Sequence, residues 1–330
     1  MADTIRAGGI PGLVPPEILI FLRLPKTGGN TMDGLFEHCL PGQFFHAYIK
    51  RLNSPLLVRP TDWIEEKFLL LPPERRARVR CLIGNHVAMD VDRIFDRPAS
   101  FFTVVREPVD RVVSHFYHVR TEPHVPIHRF IRTMTLEQYL DSGMALEADN
   151  LQVRVLSGCA ELDGEWHPQT GQVTAAPVTP HHLEMAKRNI ETRFIAAAAL
   201  EQITQLVWFF KRLYGWPTHQ VLFLPRNENA GHQQNGGQPR PRVADLPASL
   251  RERLERSNHY DRELYLWVKQ RFTDQLQPLQ PEFDKEVSKF NQWLNIVHAV
   301  ANHTPSALRR LASRALFSRA PDLFSGVELP

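Results

Sequence analysis

The chain has 330 residues, of which 43% are hydrophobic and 23% are charged, and this composition excludes a disordered or collagen-like chain. The 39 lysines and arginines exceed the 36 aspartates and glutamates by only three, which favours a small anionic ligand over a nucleic acid. The cysteines Cys39, Cys81 and Cys159 lie far apart without a CxxC pair. This spacing argues against a disulfide framework or a zinc site and favours a reducing compartment.

The first predicted elements are a strand, a glycine turn and a helix. Residues 1–16 are rich in glycine and proline and are expected to form a flexible lead-in. The segment EILIFLRL (17–24) is a nearly continuous apolar run, which is typical of a strand buried on both faces of a sheet. The turn PKTGGN follows it, and TMDGLFEHCL (31–40) has a helical pattern.

Strands and helices continue to alternate along the chain. The further predicted strands are CLIG (81–84), ASFFTVV (99–105), FIAAAAL (194–200) and VLFLP (221–225). Predicted helices are EPVDRVVSHFYHVR (107–120), EQITQLVWFFKRLYG (201–215) and a helical stretch from 247 to about 317, with loops at 160–180 and 226–247. This alternation predicts an α/β protein with a mainly parallel sheet, whose ligands bind at the carboxyl ends of the strands.

The loop after the first strand has the composition of an anion site. Gly28 and Gly29 let the backbone turn its N–H groups toward an anion, which the helix dipole also attracts, and Lys26 adds a full positive charge. Asn30 and Thr31 are placed to cap the helix or to bond a phosphate oxygen. Neither a Walker A loop nor a GxGxxG pattern is present, and a plain glycine turn is an equal alternative for this loop taken alone.

A second junction between a strand and a helix lies at Arg106. This residue follows the predicted strand, and Ser114 lies two turns into the next helix on the face that carries Asp110. Arg106 and Ser114 together predict a site for a second anionic group. The alternative is a surface arginine paired with Glu107 or Asp110.

Four ordered blocks, PKTGGNT, GNH, TVVREPVDRVVSHFY and DNLQVRVLSG, resemble the sulfotransferases that use 3′-phosphoadenosine 5′-phosphosulfate (PAPS). The nearest branch is the carbohydrate type represented by heparan sulfate 2-O-sulfotransferase. The resemblance implies a P-loop-like three-layer fold, with a central mainly parallel sheet flanked by helices and a helical C-terminal extension. In that family the first loop binds the 5′-phosphosulfate and the second junction binds the 3′-phosphate. The cofactor-binding residues that it implies are Pro25, Lys26, Thr27, Gly28, Gly29, Asn30, Thr31, Arg106 and Ser114.

The resemblance also indicates the chemistry of the site. Sulfuryl transfer has a loose, in-line transition state, so we expect Lys26 to stabilise developing charge and we expect no metal. His86, after the predicted strand CLIGN, is the expected general base, with a loop-capping histidine as the alternative. Glu37 is the second choice, because it lies about three helical turns from Lys26.

Two further segments bear on the site. Asn150, Gln152 and Arg154 match the family's N–x–Q–x–R block, where a polar network is favoured over direct contact with substrate. The loop at 226–242 offers Arg226, Arg240 and Arg242, which either cover the 3′-phosphate or remain in solvent.

The predicted organisation has three parts: a lead-in at 1–16, a sulfotransferase domain at 17–275 and a helical extension at 276–330. The segment SALRRLASRALFSR (306–319) predicts a basic amphipathic helix, for which packing onto the domain is favoured over contact with a membrane surface. No signal peptide or membrane span is recognisable, so we expect a cytoplasmic protein.

The favoured function is transfer of a sulfuryl group from PAPS to a hydroxyl of a saccharide or glycoconjugate, without a nucleic-acid partner. A catalytically inactive nucleotide-binding or scaffold protein of the same fold is one alternative, and the set Lys26, His86, Arg106 and Ser114 argues against it. A small-molecule P-loop kinase is another, and the absence of GK[ST] argues against it.

Overall fold

The computed structural model describes residues 10, 12–47, 61–85, 87–123, 125–221 and 240–303. Within these residues a five-stranded parallel sheet forms the centre, and a separate antiparallel hairpin lies outside it. The strands are β1 Ile18–Arg23, β2 Phe44–His46, β3 Cys81–Asn85, β4 Ala99–Val105, the hairpin β5 Glu165–Trp166 and β6 Val173–Thr174, and β7 Phe194–Ala199. The order in the sheet is β2-β3-β1-β4-β7, which confirms the predicted α/β class.

The helices in the described residues connect and flank these strands. They are α1 Gly29–Cys39, α2 Thr61–Leu69, α3 Pro73–Arg78, α4 Pro108–Thr121, α5 His128–Ile131, α6 Leu136–Asp141, α7 Leu151–Ser157, α8 Pro180–Arg193, α9 Ile203–Tyr214, α10 Thr218–Val221, α11 Ala248–Ser257, α12 His259–Leu276 and α13 Glu282–His303. Short 3-10 turns occur at Val91–Ile94, Leu146–Ala148, Ala160–Leu162, Leu200–Gln202, Val243–Asp245 and Gln277–Leu279.

The two faces of the central strand β1 enter two different hydrophobic clusters. Leu19 and Phe21 pack with residues of α1 and α9, whereas Ile20 and Leu22 pack with residues of α7 and α8. Both faces are therefore covered by helices, which explains the continuous apolar run of the sequence. The result is three layers, helices, sheet and helices, as the resemblance implied.

Parallel pairing brings the functional junctions to one edge of the sheet. Arg23, the last residue of β1, is in register with Asn85 at the end of β3, and Val105 of β4 is in register with Ala199 of β7. Because the strands run in the same direction, their carboxyl ends and the turns that follow share this edge.

The last described helix, α13, packs into the main hydrophobic core. Its residues Phe283 and Phe290 belong to the cluster that contains Phe21 of β1. The Trp208 indole N–H of α9 donates a hydrogen bond to Glu286 Oε2 at 2.7 Å. The described part of the helical extension predicted from the sequence therefore lies against α9.

Two predictions of secondary structure were wrong in part. Val221, the first residue of the predicted strand at 221–225, ends α10, because Pro217 and Thr218 start a helical turn there; residues 222–225 lie outside the described residues. The predicted loop at 160–180 contains the hairpin β5–β6, whose two-residue strands are too short to produce a recognisable pattern. The predicted helix at 306–319 also lies outside the described residues.

In the part of the chain that the structure describes, no helix has both the length and the apolar character needed to cross a membrane.

Candidate functional site

The first loop has the backbone geometry of an anion cradle. Lys26 and Gly28 have positive φ angles of 66° and 84°, so the chain curls around the start of α1. Gly28 is the N-cap, and within the described residues no side chain caps the helix and no acidic residue lies in its first turn. The positive end of the α1 dipole therefore faces the loop without a competing carboxylate.

The side chains of this loop do not all face a ligand. Neither Asn30 nor Thr31 caps α1, although the sequence allowed that role. The Thr27 hydroxyl is buried and donates to the Leu24 carbonyl at 2.9 Å, so it braces the loop. Pro25 is half-buried in the same turn. The backbone and Lys26 are thus the predicted anion-binding groups of the loop.

Arg23 is a further cation at this loop that the sequence reasoning missed. Its guanidinium donates a hydrogen bond to Asn30 Oδ1 and lies 3.5 Å from Asp33 Oδ2. A Cβ on Gly29 would clash with the Arg23 side chain, which would have to leave its present position. The signal in the sequence was its position at the carboxyl end of β1, three residues before Lys26.

Arg106 connects the second junction to the first loop. Its Nη1 donates to the Lys26 carbonyl at 2.9 Å, and its Nε donates to Asp110 Oδ2 at 2.8 Å. Its Nη2 also bonds Asp110, which is the carboxylate pairing that the sequence left open. Glu107 instead caps α4 by accepting the Asp110 N–H at 2.7 Å. Ser114 is buried further along α4.

Arg240 reaches the same carboxylate from a distant part of the chain. Its Nη2 donates to Asp110 Oδ1 at 3.1 Å, so one carboxylate bridges two arginines. Arg242 is exposed, and its backbone N–H bonds Asp245. Of the arginines predicted in this loop, Arg240 thus joins the site, whereas Arg226 lies outside the described residues.

Burial and the neighbouring cations together lower the pKa of Lys26 to about 8. Burial is the main cause, and the charges of Arg106, Arg240 and Arg23 act in the same direction, while Glu122 opposes them. The loop therefore holds more positive charge than its surroundings neutralise, and a bound anion would relieve this repulsion.

A polar network holds the backbone of Arg106. The Gln152 side chain accepts the Arg106 N–H at 2.8 Å and donates to the Arg106 carbonyl at 2.9 Å. Asp261 of α12 accepts the backbone N–H groups of Gln152 and Val153 at 3.0 and 2.8 Å, and Asn150 Oδ1 accepts the Asp261 N–H. Asn150 and Gln152 therefore belong to a polar network, which is the role that the sequence favoured.

The two candidate bases have different surroundings. Glu37 Oε1 lies 3.1 Å from His46 Nε2, at the end of β2. His86 lies outside the described residues and follows directly after β3, whose last residue is in register with Arg23. The roles of both residues remain predictions.

Comparison with protein families matches residues 14–267 to the sulfotransferase family. The chain belongs to the sulfotransferase family. Comparison with curated proteins finds no match. The family match covers most of the chain, including both junctions, α7 and the first half of α12, so the cradle of this sulfotransferase lies in the matched region.

Proposed function

We propose that this sulfotransferase moves a sulfuryl group from PAPS to a hydroxyl of an acceptor, which is a saccharide or glycoconjugate. The observation that carries the proposal is the convergence of Lys26, Arg106 and Arg240 beside the uncapped N-terminus of α1. PAPS has anionic groups at two ends, the 5′-phosphosulfate and the 3′-phosphate. A hydrogen bond from Arg106 to the Lys26 backbone joins the two cationic regions that would bind them.

The donor side of the proposed reaction depends on positioning. Lys26 and the α1 backbone bind the 5′-phosphosulfate and stabilise charge on its bridging oxygen. Arg106, Ser114 and Arg240 bind the 3′-phosphate. Within the described residues Arg106 uses three of its five guanidinium N–H groups. The other two can donate to a phosphate without breaking the ion pair with Asp110.

On the acceptor side, His86 takes the proton of the attacking hydroxyl, and Glu37 is the second choice for this base. The bond from sulfur to the bridging oxygen breaks as the bond from sulfur to the acceptor oxygen forms. The adenosine bisphosphate leaves with the electron pair. No metal is assigned to this step.

Isothermal titration with 3′-phosphoadenosine 5′-phosphate, without magnesium, tests the donor assignment. We expect Arg106→Ala to weaken binding of this bisphosphate by about 10- to 100-fold, because it removes charged hydrogen bonds to the 3′-phosphate. Adenosine 5′-phosphate, which lacks that group, should lose much less affinity, because only the Arg106 bond to the Lys26 carbonyl is removed from its site. Arg256→Ala, an exposed arginine of α11, is the matched control and should change neither affinity.

The alternatives give different results when the titration is repeated with ATP and magnesium and when turnover is measured. Binding of ATP with magnesium, and none of the bisphosphate, would support a kinase. Bisphosphate binding without turnover on any saccharide would support an inactive nucleotide-binding protein. With an acceptor found, His86→Ala should abolish turnover and Glu37→Gln should retain it; the reverse result would move the base to Glu37.

A further inference from the structure

Outside the nucleotide site, Cys159, Glu161 and His182 form a cluster of mixed ligand types. The atoms that could bind a metal, one from each residue, all lie within 4.8 Å of one another. Cys159 and Glu161 belong to the turn after α7, whereas His182 lies in the first turn of α8. We infer that these three side chains bind a zinc-class divalent ion, a site that goes beyond the proposed sulfuryl transfer and does not depend on it.

The distance between the ligand atoms of His182 and Glu161 suits a tetrahedral ion. His182 Nε2 lies 3.4 Å from Glu161 Oε1. Two ligands held about 2.0 Å from a tetrahedral centre are separated by about 3.3 Å, so this pair needs little movement to share an ion. Thiolate, imidazole and carboxylate are all zinc ligands, whereas calcium and magnesium take oxygen ligands alone.

The ring of His182 is already oriented toward the proposed ion. Its Nδ1 accepts the Thr179 backbone N–H at 3.1 Å and lies 3.2 Å from Thr179 Oγ1. These contacts direct Nε2 toward Glu161. Binding of an ion at Nε2 requires the other tautomer, in which the ring proton lies on Nδ1. The bond from the Thr179 N–H is then replaced by donation from Nδ1 to Thr179 Oγ1, which is the outer contact that metal-bound histidines commonly make.

The position of the cluster permits loading from solvent. Glu161 is exposed and Cys159 is half-buried, so the ion can enter directly, and water completes the fourth position. The bound ion would fasten the turn at 159–161 to the start of α8.

Cobalt(II) is a suitable probe, because a thiolate bound to cobalt absorbs by charge transfer and a tetrahedral site gives intense d–d bands. We expect the full chain, stripped of metal, to show both signals, to saturate at one ion per chain and to lose them on addition of zinc. The buried thiols of Cys39 and Cys81 are poor competitors, because burial raises the pKa of Cys39 to about 12 and that of Cys81 further.

Three variants make the test specific. Cys159→Ser should remove the charge-transfer band, and Glu161→Gln should weaken cobalt binding by about tenfold or more. Glu161 is exposed, so this variant is expected to fold, and zinc should raise the Tm of the wild type more than that of Glu161→Gln. The neighbouring exposed His181→Gln is the control and should bind cobalt as the wild type does.

A wild-type chain without the charge-transfer band would overturn the inference. A band that persists in Cys159→Ser would overturn it as well, because the thiolate would then belong to another residue.

Discussion

At the residue scale, Lys26 holds its charge under unfavourable conditions. Its backbone has a φ of 66°, a conformation that costs roughly 1–2 kcal/mol for a residue with a side chain. Its ammonium group is largely buried and faces Arg106, Arg240 and Arg23, which together with burial lowers its pKa to about 8. Such strain is typical of a position that a ligand stabilises.

The buried charge predicts that Lys26→Met stabilises the free protein while it abolishes turnover. The folded-state pKa is lower than the unfolded one, so near pH 7 folding carries the full cost of burying the charge, and methionine removes about 1–3 kcal/mol of it. The gain should shrink as the pH rises from about 8 to the unfolded pKa of 10.5, where lysine loses its charge in both states. Urea unfolding at several pH values measures this.

The control for this prediction is Lys289→Met, an exposed lysine of α13. It should leave the stability unchanged at every pH. Equal effects of the two substitutions would contradict a destabilising charge at Lys26.

At the scale of elements, α7 connects α12 to the predicted anion site by hydrogen bonds. Asp261 of α12 caps the N-terminus of α7, Gln152 of α7 pairs with the backbone of Arg106, and Arg106 bonds the Lys26 carbonyl. Gln152 is fully buried, so water cannot replace a hydrogen-bond partner that its amide loses. The helices α7 and α12 thus position Arg106 and Lys26, the residues that are proposed to bind the ligand.

We therefore expect Gln152→Leu to weaken binding of the adenosine bisphosphate by about tenfold, since Arg106 loses its backbone support. Binding of adenosine 5′-phosphate should change much less. The free energy of unfolding should fall by about 2 kcal/mol, because the Arg106 N–H and carbonyl lose their partner.

Two variants separate positioning from general destabilisation. Gln152→Glu keeps an acceptor for the Arg106 N–H and should recover part of the affinity. Gln270→Leu, on the exposed side of α12, should leave affinity and stability unchanged. If the two nucleotides lose affinity equally in Gln152→Leu, the positioning role is wrong.

At the scale of the whole molecule, the core extends past the family match, which ends at residue 267. Phe283, Val287, Phe290 and Leu294 of α13 are buried in the cluster that contains β1, α1 and α9. The ring of Phe283 meets that of Trp208 edge-on at 4.6 Å. The C-terminal helix therefore contributes to the stability of the layer that supports the anion cradle.

Phe290→Ala should lower the free energy of unfolding by about 3 kcal/mol and keep a single unfolding transition, because a buried aromatic ring is removed from a shared core. Asn291→Ala, at the exposed neighbouring position, should not lower it, because alanine is a better helix former than asparagine. Calorimetry that shows a separate transition for Phe290→Ala, with the main one unchanged, would indicate that α13 folds independently.

Much of the fold could be predicted from local patterns. The strands β1, β3, β4 and β7 appeared as apolar runs, because strands covered by helices on both faces need apolar residues at every position. β2 was missed, since three residues are too few for a pattern. The glycine turn also indicated Lys26 and Gly28, because a turn with positive φ beside a helix start is a local requirement. Arg106 was indicated by its place between a buried strand and a helix that begins with Pro108.

The amino-acid sequence by itself determined the α/β class, the cradle at Lys26 and the junction at Arg106, because each depends on neighbouring residues and on the size and charge of their side chains. Only the tertiary structure decided which distant groups meet there. Asp110 joins Arg240 across 130 positions, and His182 lies beside Cys159 across a loop and a hairpin. Such contacts follow from strand order and helix packing, which no local pattern encodes.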